Sequence, residues 1–87
     1  MIQANEAVVN ITWNGQNGEL PDPVSYDATP GDVLQWAAEA IQGGGVPGID
    51  IDANASLQDF VVDRFNAKDD QPNRIFVRPK TPFGDQA

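Results

Sequence analysis

Residues 29–47 constrain the fold more than any other stretch. Thr29 is suited to cap a helix, Pro30 to occupy its first position, and Asp32 to face the amide end of its dipole. From Val33 to Gln42 the side chains separate at helical spacing. Val33, Leu34, Trp36, Ala37, Ala38, Ala40 and Ile41 cover one broad arc, and Gln35, Glu39 and Gln42 share the other. Trp36 sits at the margin of the arc, where partial exposure is expected. Gly43-Gly44-Gly45 supplies a left-handed helix end at least cost, and Pro47 blocks a restart. A lone helix with so wide an apolar arc needs an apolar surface to lie on.

The flanking segments supply strands for that surface. Val9, Ile11 and Trp13 alternate with Val8, Asn10 and Thr12, which predicts a strand over residues 7–13 with one buried face. Asn14-Gly15 follows as a tight-turn signal, and Asn17-Gly18 repeats it. Pro21 and Pro23 stiffen the return, and Val24, Tyr26 and Ala28 predict a second strand, placed at a sheet edge because proline cannot donate to a ladder. Beyond the helix, Ile49 to Asp52 alternates only briefly. Residues 57–65 are read as a strand, residues 66–73 as a charged turn holding Pro72, and residues 74–78 as a last strand stopped by Pro79. The predicted core is Val9, Ile11, Trp13, Val33, Ala37, Ile41, Ile75 and Val77.

The order is therefore β-β-α-β-β, an α+β chain. Two hairpins bury one helix only if all strands share a sheet with the helix on one face. A right-handed crossover then makes the first and last strands parallel and central, giving a mixed sheet of β-grasp type. The domain is expected over residues 7–79, with a flexible lead-in over 1–6 and a flexible tail over 80–87.

Composition narrows the chemistry. The 87 residues include no Cys and no His, which excludes thiolate chemistry and the commonest general base and metal ligand. A net charge of −8 disfavours nucleic acid as a partner. No apolar run reaches membrane-spanning length and no signal-like start is present, so a cytoplasmic protein is expected, without a membrane partner. All five cations, Arg64, Lys68, Arg74, Arg78 and Lys80, fall late in the chain, whereas residues 1–63 hold ten acids and no base. Such asymmetry suits a docking surface at one end, or solubility alone. Asp50-x-Asp52-x-Asn54-x-Ser56 resembles the start of a calcium loop. Ala55 replaces its glycine and Val61 its bidentate glutamate, so a loop of Asx turns is the simpler reading and no metal site is expected. No pair of aspartates is placed to form a catalytic pocket, and the chain is not read as an enzyme or a cofactor binder.

Several segments resemble the ubiquitin-like β-grasp family. Ile41-Gln42 followed by Gly45-Val46-Pro47 is similar to the helix end of ubiquitin, Thr29-Pro30-Gly31-Asp32 to its helix start, and Ser56-Leu57-Gln58-Asp59-Phe60 to a later motif. The alternating last strand also leads through Phe83 to Gly84, as in autophagy-type modifiers that end in an aromatic residue and one glycine. The segment between the helix and the later motif is shorter here. With the single glycine, it points to a prokaryotic member.

The resemblance implies a protein modifier or carrier, processed after Gly84 and activated by ATP-dependent adenylation of that carboxylate. Its implied partners are an activating-type enzyme, a conjugating enzyme and a JAB-type processing protease. Arg74, Arg78, Lys80 and Phe83 are then expected to dock the tail, with Gly84 as the site of processing and conjugation. The alternative is an adaptor that is not conjugated and binds protein partners through its sheet.

Overall fold

The computed structural model describes residues 5–68 and 70–80. In chain order the elements are β1 (Glu6–Trp13), β2 (Gln16–Glu19), β3 (Val24–Ser25), α1 (Pro30–Gln42), β4 (Val61–Phe65) and β5 (Asn73–Arg78). They form one mixed five-stranded sheet in the order β2-β1-β5-β4, with β3 also on β1. The two middle strands are parallel, Ala7 opposite Asn73 and Ile11 opposite Val77. β1–β2 and β4–β5 are antiparallel. This α+β arrangement, one helix on a mixed sheet, is compatible with the expected β-grasp.

Alternation decides which side of the sheet the helix covers. Ala7, Val9 and Ile11 of β1 and Ile75 and Val77 of β5 are buried against Val33, Ala37 and Ile41 of α1. The buried helical stripe is one residue wide, at spacing of four, narrower than the arc in the sequence. Leu34, Ala38 and Ala40 flank it half-buried, and Trp36 is exposed. Trp13 is only half-buried. It stacks on Phe60 at a centroid distance of 5.7 Å, covering one end of the core instead of filling it.

The helix ends follow the sequence closely. Thr29 Oγ1 accepts from Asp32 N at 3.1 Å. At the other end Gly45 N donates to Ala40 O and Gly44 N to Ile41 O, the paired bonds of a Schellman closure. Gly44 takes the left-handed conformation, with φ of 74°, while Gly43 stays right-handed.

Three strand expectations are corrected. The tight turn forms at Asn14-Gly15, both with positive φ, so Gln16 pairs with Trp13. That register carries Asn17-Gly18 into β2, where it is no turn. Gly18 is there because the backbone of Pro47 passes against it, and an added Cβ would also meet Val46 Cγ1 at 2.9 Å. The strand expected over residues 24–28 is two residues long. β2 and β3 share one edge of β1, where Leu20 N still donates to Val9 O at 2.9 Å, but residues 21–23, with Pro21 and Pro23, stand across from Val8 alone and bulge out of the ladder. The strand expected over residues 57–65 begins only at Val61. Residues 57–60 form a turn closed by Phe60 N to Leu57 O, with Leu57 buried in the core.

Two polar side chains hold the sheet to its connections. Arg64 lies on the core-facing side of β4, opposite Ile75, and donates to the carbonyls of Tyr26 and Ala28. This fixes the crossing from β3 to α1, aided by Tyr26 OH on Asn66 Oδ1 at 2.6 Å. Asn73 is buried. It accepts from Ala67 N at 2.6 Å and donates to Glu6 O at 3.0 Å, joining the start of β5 to β1 and to the turn before it.

Candidate functional site

Among the described residues, no element covers the face of the sheet opposite α1. The strand registers set its side chains in rows: Val8, Arg74 and Phe65; then Glu19, Asn10, Phe76 and Asp63; then Asn17 and Thr12, with Arg78 beside Val61. The half over β1 and β2 is polar. Asn17 Nδ2 donates to Asn10 Oδ1 at 2.8 Å and to Thr12 Oγ1 at 3.1 Å.

The half over β4 and β5 differs. Phe65 and Phe76 meet edge to face at 5.3 Å. The Arg74 guanidinium carbon lies 5.7 Å from the Phe65 centroid and 5.6 Å from that of Phe76. Both distances are within the range where a ring quadrupole attracts a cation. Among the described residues, the buried Arg74 Nε has no hydrogen-bond partner there. Arg78 pairs with Asp63 Oδ2. Around this charged centre the apolar groups remain open, Phe65 45% exposed and Val61 39%. An apolar patch with an arginine at its centre has the composition of a protein-binding surface.

The sequence-predicted residues divide accordingly. Arg74 and Arg78 do share this face. Lys80 is exposed just past β5. Phe83 and Gly84 lie outside the described residues. Phe65, Phe76 and Val61 were not singled out from the sequence, although alternation through residues 74–78 already places Phe76 with the two arginines.

Two of the grooves lined by described residues lie elsewhere. One, of about 420 Å³, runs between α1 and residues 55–58, lined by Leu34, Ala38, Gln42 and Leu57 with no ionisable group. The other, about 310 Å³, holds Trp13, Gln16, Asp50 and Asp52. Here the acids are used locally: Asp50 Oδ2 accepts from Gln16 Nε2 at 3.2 Å, and Asp52 Oδ1 from Asn54 N at 3.0 Å. The second bond is the Asx turn expected in place of a calcium loop. Among the described residues, no group of three His, Cys, Asp or Glu side chains is placed to hold a metal ion, and no helix is long and apolar enough to cross a membrane. Comparison with protein-family models, curated proteins and solved structures gives no match for this chain, so the role of the open face rests on its chemistry.

Proposed function

We propose that the chain is a ubiquitin-like β-grasp module that binds partner proteins through its open sheet face. One helix on a mixed five-stranded sheet with parallel central strands supports the fold, although the order is β-β-β-α-β-β, with one strand more before the helix than the sequence suggested. The Phe65–Arg74–Phe76 cluster, beside exposed Val61 on the uncovered side, carries the functional reading. Such a cluster is poorly explained by stability, since an exposed aromatic ring gains little from burial there. Phe65→Asp should leave the thermal midpoint within a few degrees and abolish retention of partners captured by the wild-type protein from its native lysate. Retention that survives Phe65→Asp and Phe76→Asp alike would remove the face from consideration.

Transfer through Gly84 is the second reading, drawn from Phe83-Gly84 after the last strand. In it the protein is a modifier or carrier, cut after Gly84, adenylated by an activating-type enzyme and passed to a conjugating enzyme, with a JAB-type protease making the cut. Glycine suits that step because no β-carbon hinders approach of its carboxylate to the nucleotide. Intact mass reads the loss of Asp85-Gln86-Ala87, and incubation of the cut form with ATP and an activating enzyme reads thioester formation. A cut form inert in that assay excludes transfer and leaves the binding module.

A further inference from the structure

The two edges of the sheet are not alike. On the β2–β3 edge the bulge at residues 21–23 breaks the ladder, and Pro21 and Pro23 carry no N–H to offer. The β4 edge has no bulge and no proline; its charged side chains are Asp63 and the inward-turned Arg64. Val61 to Phe65 contains no Pro, Gly or Lys, and it pairs with β5 in unbroken register from Val61 opposite Arg78 to Phe65 opposite Arg74. Of the backbone hydrogen bonds among the described residues outside helix and strand pairing, none involves residues 61–65. Among the described residues, the outward backbone groups of β4 therefore have no protein partner.

The side chains along this edge follow a simple pattern. Val62 packs on the core and Arg64 is spent on Tyr26 and Ala28. What remains on the open side is Val61, Asp63 and Phe65, apolar, acidic, apolar at two-residue spacing. Arg78 takes Oδ2 of Asp63, which leaves Oδ1 as an acceptor.

We infer that β4 accepts an added strand from a partner protein, an extended segment in which Lys or Arg is flanked at two-residue spacing by apolar side chains. The inference deepens the open-face reading and rests on it. Main-chain bonds along the edge supply affinity and alternate side chains supply selectivity. The cation answers Asp63, and the apolar residues answer Val61 and Phe65. The overall charge of −8 favours a basic partner and opposes a second copy. A two-fold antiparallel pairing of β4 with itself would also set one Asp63 directly against the other, which is destabilising.

The test titrates the full chain with acetyl-Ser-Ile-Thr-Arg-Thr-Val-Ser-amide, which presents the pattern in either strand direction. Amide shifts and hydrogen exchange are read by NMR. New protection confined to residues 61–65 is expected, and it should vanish with a backbone N-methylated peptide. Placing Glu at the peptide's centre should weaken binding roughly fivefold or more. Asp63→Asn should weaken the Arg peptide but not its Gln counterpart.

Shifts spread over Val8, Arg74 and Phe76 that are indifferent to N-methylation would overturn strand addition while leaving the open face as a binding surface. Protection of β4 that rises with protein concentration alone would overturn it in favour of a second copy. An absence of shifts at millimolar peptide would overturn it outright.

Discussion

Gly18 and Gly15 are the same residue type for opposite reasons. Gly15 sits in the hairpin turn at φ of 80° with open space where a Cβ would project. Gly18 lies in a strand and is pressed against the Pro47 backbone. Gly15→Ala should therefore cost about 1–2 kcal/mol, the penalty of a left-handed residue. Gly18→Ala should cost about 1–3 kcal/mol through overpacking, and more if the loop cannot shift. A full disappearance of the second effect in urea titration would refute the close approach. Ile41, at 1% exposure, anchors the helix stripe, and Ile41→Ala should lower stability by about 2–5 kcal/mol in the same assay. Both glycines follow Asn, and the dipeptide signal is identical in the two places. Only the register imposed by the first turn shows that the second is a strand, so sequence could not separate them. The buried faces of β1 and β5 were legible, because Val9, Ile11, Ile75 and Val77 alternate with polar or partly exposed neighbours.

At the scale of elements, the helix was read almost to the residue because its cap and its stop are chemical groups with fixed positions. The edge strands were not. β3 is too short to show a period, and Leu57 and Phe60 are apolar in a turn because that turn packs on the core. Arg64 illustrates the same difficulty from the polar side. In sequence it is one of five late cations. In the fold it is a brace between β4 and the crossing from β3 to α1. Arg64→Met keeps the aliphatic stem and removes both bonds, so stability should fall by about 1.5–3 kcal/mol. Hydrogen exchange should quicken at residues 26–29 before it does in β1. Uniform loss of protection instead would mean that the brace supports the whole sheet and not the crossing.

For the molecule as a whole, charge is the property read most directly from sequence, yet its use divides on folding. Arg74 is held by two rings, Arg78 by Asp63, and Lys80 projects beyond the last strand. In the transfer reading, where the late cations steer an acidic activating enzyme, Lys80→Glu should slow association more at low salt than at high salt, with little change in dissociation, whereas a basic partner would associate faster. Arg78→Glu should also perturb dissociation, because it abandons Asp63 on the face itself. Equal slowing by Lys80→Glu at both ionic strengths in stopped-flow mixing would exclude steering. The face was half visible beforehand: alternation located its arginines. The aromatic pair was missed because Phe65 ends a run read only as a strand, with no face assigned, and only the β4–β5 register turns it outward.

The pairing of β1 with β5 also has a consequence during synthesis. β1 leaves the ribosome well before β5 and finds its central neighbour only when that strand has followed, since Ala7 faces Asn73 and Ile11 faces Val77. Until then a nascent chain has its hairpin and its helix but lacks the middle of the floor on which Val33, Ala37 and Ile41 rest. Contacts so distant along the chain form slowly and together. A chain stopped before Asn73 should therefore show no cooperative unfolding transition, and completion of β5 should switch folding on in a single step.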